Sequence, residues 1–177
     1  MFALLALNIA CAACTSQEAR PIQLVKASRI SRLTLMTLPQ AVFPDFRSRS
    51  LPQFDAFRRC VDSTSEAKFD SIFERAIDAS LSAEELGEAI DFYEGATGRK
   101  LSDSLVASAL DELDQRPHRG VQFSAAEEAE ISIFARSSSG KKLAFDALVA
   151  KPEIRSELDS AEDEVIRLCG EGSIGVQ

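Results

Sequence analysis

Tryptophan is missing from this 177-residue chain, histidine and tyrosine each occur once, and methionine occurs twice. The lone His118, in the turn Arg116-Pro117-His118-Arg119-Gly120, has no serine or cysteine set beside it by a nucleophile motif, so the sequence offers no catalytic residues. Past the first fourteen residues only Cys60 and Cys169 remain, and two separated cysteines with one histidine do not make metal-ligand spacing. Glycine-rich phosphate loops, dinucleotide fingerprints and nucleophile elbows are also lacking, so no cofactor is expected. No apolar run approaches the ~20 residues of a membrane-spanning helix. Alternation at period two is not sustained anywhere, which excludes a sheet. A net charge of −8 argues against nucleic acid as a partner.

What the chain does have is one unit written twice. LSAEELGEAIDFYEGATGRKL at 81–101 aligns with FSAAEEAEISIFARSSSGKKL at 123–143, and eight of the 21 positions are identical. They pair Ser82 with Ser124, Ala83 with Ala125, Glu85 with Glu127 and Glu88 with Glu130. Phe92 matches Phe134, Gly98 matches Gly140, Lys100 matches Lys142 and Leu101 matches Leu143. Each copy opens with Ser-x-x-Glu, in which serine and glutamate satisfy each other's backbone N–H groups at a helix start. Ala89 and Phe92, or Ile131 and Phe134, then fall on one helical face with Leu81 or Phe123 before them. Gly98 and Gly140 are expected to stop these helices in a left-handed conformation. A second helix should begin near Arg99 or Lys141, with the basic pairs Arg99-Lys100 and Lys141-Lys142 meeting helix-end carbonyls. The units span about 81–106 and 123–149.

LSAEEL at 81–86 and FYEGATGRKL at 92–101, with a weaker echo at 123–143, resemble the Domain of Unknown Function 2059 family. The resemblance covers roughly residues 50–150 and implies a small, all-helical, exported bacterial protein, without supplying catalytic residues. The second copy departs from the pattern where Tyr93 and Leu86 are replaced by Ala135 and Glu128.

FALLALNIACAAC after Met1 has the length of a secretory apolar region. Residues 1–14 read as an export signal of lipoprotein type, with Ala12-Ala13-Cys14 as a lipidation site at Cys14. Ala10-Cys11-Ala12 also satisfies the small-x-small rule for cleavage without lipid. Thr15 is not the aspartate of inner-membrane retention, so the expected address is the periplasm, with a lipid anchor in the outer membrane.

Residues 15–177 suffice for a single domain. Helices are expected over 15–36, with Ile22, Val25, Ile30 and Leu33 inward, and over 53–63, with Phe54, Phe57, Cys60 and Val61 inward. A further helix over 65–79 would bury Phe69, Ile72, Phe73 and Ala76. Pro39, Pro44 and Pro52 should break regular structure between the first two. A last helix from Pro152 presents Ile154, Leu158, Ala161, Val165 and Leu168 at three- and four-residue steps. The fold class is therefore all-α, a single-domain bundle of about seven or eight helices containing two helical hairpins.

In an oxidising compartment Cys60 and Cys169 are expected to pair as a disulfide. Charge is distributed unevenly: residues 1–60 hold eight Lys or Arg against three acids, leaving −13 on the rest. A basic front packed across an acidic body is one reading; a basic front on anionic lipid, with the acidic body meeting a cationic partner, is the other. Candidate contact residues are Glu84, Glu88 and Asp91 on the outer side of the first repeat helix, and Tyr93 near its end. The function expected is non-enzymatic: an envelope protein that binds another protein, in a specific form an immunity or inhibitor protein against a basic toxin or effector. A chaperone-like or structural envelope factor would instead need an exposed apolar groove. A hydrolase would need a pocket with converging, shifted ionisable groups.

Overall fold

The computed structural model describes residues 20–44, 51–114, 116–117 and 120–174. The export segment with Cys14, and His118, lie outside the described residues. Within them the chain is all helical, with no strand. Ten helices follow in order: α1 (Pro21–Ser28), α2 (Ile30–Val42), α3 (Pro52–Ser63), α4 (Ala67–Asp78), α5 (Ala83–Glu94), α6 (Ala96–Leu113), α7 (Ala125–Arg136), α8 (Ser138–Lys142), α9 (Phe145–Leu148) and α10 (Pro152–Ile174). Eight of these reach eight residues or more, in line with the expected number; α8 and α9 are short additions. Pro21, Pro52 and Pro152 are each the first residue of a helix, where the absent N–H has no helical partner to lose.

The front pair is the hub of the bundle. α1 packs on α4, α5 and α6, while α2 packs on α3, α4, α6 and α10. One large apolar cluster runs through this hub, with Leu24, Leu35, Phe57, Phe69, Phe73 and Leu158 almost wholly buried. A smaller one gathers Met36, Phe54 and Leu113. The Cys60–Cys169 disulfide joins α3 to α10, Cα to Cα 5.5 Å.

The front does not form the single helix expected from the sequence. Arg29 adopts φ 57°, a left-handed conformation, and divides α1 from α2. That residue resets the helical phase, so Leu24 and Val25, then Leu35, Met36 and Leu38, are the buried residues, and Leu33 is only half-buried. Pro39 does not break α2; it lies inside it and is buried. It falls near the helix end, where Phe43 N–H still donates to the Pro39 carbonyl at 2.9 Å, so a single lost bond is offset by burial. In α10 the inward stripe runs Ile154, Leu158, Ala161, Val165 and then Cys169, leaving Leu168 half-exposed. Four-residue steps keep the stripe on one face, and the disulfide selects Cys169 over its neighbour.

Four of the front cations are engaged inside the molecule. Lys26 pairs with Asp70, Arg29 with Asp103 at 2.8 Å, Arg32 with Asp62 at 3.0 Å, and Arg58 with Asp114. A basic front thus lies across an acidic body, drawing partners from α3, α4, α6 and the turn that follows α6.

Candidate binding cavity

The repeated unit shapes one wall of the site. Both capping boxes form: Ser82 N–H donates to Glu85 at 2.8 Å and Glu85 N–H to Ser82 Oγ at 3.2 Å, with 2.7 and 3.3 Å for Ser124 and Glu127. The glycines act otherwise than expected. α5 and α7 end at Gly95 and Ser137 in extended conformation, and Gly98 and Gly140 lie inside the following helices. A Cβ at Gly98 would collide with the Phe92 carbonyl, and one at Gly140 with the Phe134 carbonyl. Glycine is needed there for close backbone approach at a tight helix–helix corner, not for a left-handed stop.

Equivalent positions hold the two copies to each other with exchanged roles. Lys142 donates to Glu85 and Lys100 to Glu127, each at 2.8 Å. Thr97 donates to Glu130 at 2.5 Å, and Ser139 to Glu88. Phe92 stacks on Phe134 at 4.0 Å with planes 7° apart. Such reciprocity is that of a two-fold interface, here within one chain. Lys100 and Lys142, one residue of each basic pair, therefore reach across to the other copy rather than capping their own helices. Hydrogen bonds from Lys142, Ser138 and the Ser82 backbone bring the Glu85 carboxyl down to about 2. Lys100 and the Ser124 backbone do the same for Glu127, also to about 2.

The copies differ on their other face. In α5, Leu86 and Ile90 are buried and Tyr93 is half-buried against the body. Their counterparts Glu128 and Ala135 are exposed and Ser132 half-exposed, and α7 buries only Phe134. The differences Leu86 against Glu128 and Tyr93 against Ala135 thus mark which copy packs more fully on the core.

Beside the first copy lies a cavity of about 510 Å³. Its apolar lining comes from α1 and α2 through Leu24, Ile30 and Leu33, from α4 through Ile77, and from α6 through Leu105. Leu143, Phe145 and Leu148 contribute from the second copy and α9. Leu105 and Phe145 are both partly exposed to solvent. The polar lining is sparse: Tyr93, Ser28, Thr34 and Thr37, with Arg155 and Glu162 from α10. Burial beside Asp159 holds the Glu162 carboxyl above its ordinary value, and burial likewise raises the Tyr93 phenol. Glu162 makes no hydrogen bond or ion pair among the described residues.

Of the candidate contact residues, Tyr93 lines this cavity and also a polar cleft bounded by Lys26, Arg29, Arg99 and Ser102. Glu84 and Asp91 are exposed on α5 away from both, and Glu88 accepts from Ser139 of the other copy. Sequence reasoning missed Glu162 and Arg155, seven residues apart on α10. A half-buried acid at the edge of that helix's apolar stripe, one residue after Ala161, was the available signal. Among the described residues no His, Cys, Asp or Glu cluster is arranged to hold a metal, and no helix is long and apolar enough to cross a membrane. No family model matches the chain, and no curated protein or solved structure matches it.

Proposed function

We propose that this chain is a non-enzymatic protein of the bacterial envelope that works by binding another protein, exported and held at Cys14 to the outer membrane on the periplasmic side. The resemblance of residues 81–101 to the Domain of Unknown Function 2059 family supports the exported address. One observation carries the binding reading: α10 bears seven acids against two arginines. Of these acids Glu153, Asp159 and Asp163 are exposed and make no ion pair among the described residues. Glu157, Glu164 and Glu171 pair with Arg75, Lys68 and Arg167, and Lys26, Arg29, Arg32 and Arg58 are spent on other internal pairs, so the charge of the three remaining exposed acids faces solvent. A basic partner would be steered to it, as an immunity or inhibitor protein steers a toxin or effector.

The cavity supports the second reading, a chaperone-like or structural factor, to a lesser degree. A volume of about 510 Å³ suits a small molecule or a side chain or two, not a length of unfolded polypeptide. A hydrolase would share the shifted Glu162 and Tyr93, but it also needs a base in hydrogen-bond reach of a nucleophile, and Glu162 contacts no such group.

Affinity capture from envelope extracts and culture supernatants tests the proposal, comparing the oxidised mature chain with a Glu153→Gln/Asp159→Asn/Asp163→Asn variant. A single basic protein retained stoichiometrically by the first and lost by the second, and toxic when sent to the periplasm, is the expected result. Identical retention by both chains would overturn the acidic-helix reading.

A further inference from the structure

The geometry points to the cavity between α1, α2, α6, α9 and α10 as a binding site for a lipophilic cation: an alkyl chain carrying a protonated amine or quaternary ammonium, its head at Glu162. This goes beyond protein binding and does not depend on it.

The apolar part follows from the walls. Leu24, Ile30, Leu33, Ile77 and Leu148 enclose a space of about 510 Å³, and Leu105 and Phe145 remain partly exposed. Ligand sites of this size are mostly apolar, with a few placed polar groups that select the head. An alkyl chain entering here would leave water and cover these two side chains.

The charge of the head follows from what surrounds it. Glu162 is a half-buried carboxyl with no donor among the described residues. Asp159 and Asp163 add negative potential at Glu162. Arg155 opposes them, but its effect at Glu162 is smaller than that of Asp159. A carboxylate left half-desolvated without a donor is costly, and a ligand cation removes that cost. Tyr93 lines the same space, and its ring adds apolar contact for the chain. An anionic amphiphile would meet Glu162 under the added negative potential of Asp159 and Asp163, with Arg155 as the one cation in the lining.

The test uses three probes of one chain length, decyltrimethylammonium, decanol and decanoate, titrated calorimetrically into the full oxidised chain below their micellar concentrations. The expected result is saturable one-to-one binding of the ammonium, about tenfold tighter than decanoate. Glu162→Gln should bring the ammonium to the affinity of decanol, and Leu105→Trp at the cavity wall should weaken both. Arg155→Gln, an exposed change that leaves the core alone, should tighten the ammonium. Matching circular dichroism and urea midpoints confirm that each variant is folded. Equal affinity for all three head groups, no saturable binding, or an ammonium affinity untouched by both Glu162→Gln and Arg155→Gln would overturn the assignment.

Discussion

Replacing Gly98 with alanine sets two effects of known size against each other. On helix propensity alone, glycine to alanine inside a helix gains about 1 kcal/mol. At Gly98 the added Cβ would run into the Phe92 carbonyl and the Tyr93 Cα, both main-chain atoms that no rotamer change can move. Overpacking costs about 1–3 kcal/mol, and immovable backbone puts this case at the upper end. The net expectation is therefore a loss of about 1–2 kcal/mol. Gly140→Ala meets the Phe134 carbonyl and Ala135 Cα in the same way. Gly87 and Gly170, also helical, have nothing within 4 Å of the added atom, and alanine there should gain up to about 1 kcal/mol. Urea unfolding followed by far-ultraviolet circular dichroism would rank the four variants. Gly98→Ala as stable as Gly87→Ala would refute the reasoning.

Two further outcomes are expected. Cys60→Ser/Cys169→Ser opens a loop whose ends are 109 residues apart, a loss of about 4–5 kcal/mol in the chain-entropy model. At ~2–4 °C per kcal/mol the midpoint should fall by roughly 10–20 °C in reversible thermal unfolding, and a loss under about 1 kcal/mol would contradict that account. Glu85 and Glu127 are lowered from 4.5 to about 2 in the folded chain, so the unfolded chain binds their protons first as pH falls. Their stabilisation is complete above 4.5 and is lost between there and 2, releasing α7 and α8. Hydrogen exchange across that range should show these helices losing protection before α3, α4 and α10; Glu85→Gln/Glu127→Gln should flatten the dependence, and an unchanged slope would count against it.

The capping boxes, the repeat and the inward stripes of α3, α4 and most of α10 were legible because each depends on residues within a few positions of one another. The break at Arg29 was not, since arginine has no preference for left-handed backbone and only the packing of α1 on α4, α5 and α6 selects it. Pro39 was misread because its effect depends on distance from the helix end, which the sequence leaves open. The cross-copy bonds join residues such as Glu85 and Lys142, 57 positions apart, so identical residues announced importance without announcing their partners. The cavity draws its walls from seven helices, and no local pattern could assemble them.

An interface in which equivalent residues exchange roles is what two separate copies of one hairpin would form on meeting. Within a single chain the encounter is intramolecular, and a short tether keeps the local concentration of the second hairpin around the millimolar range, independent of how dilute the protein is. Individually weak ion pairs, together with the Phe92–Phe134 stack, then keep it docked. Phe134, Ile131 and Leu143 still anchor the tethered hairpin to the core, while its outward face, Glu128, Ser132 and Ala135, can vary at little cost to the fold. One hairpin is held to its composition by the bundle along most of its helix; its twin is held at fewer positions, and its outward face is where change carries little risk.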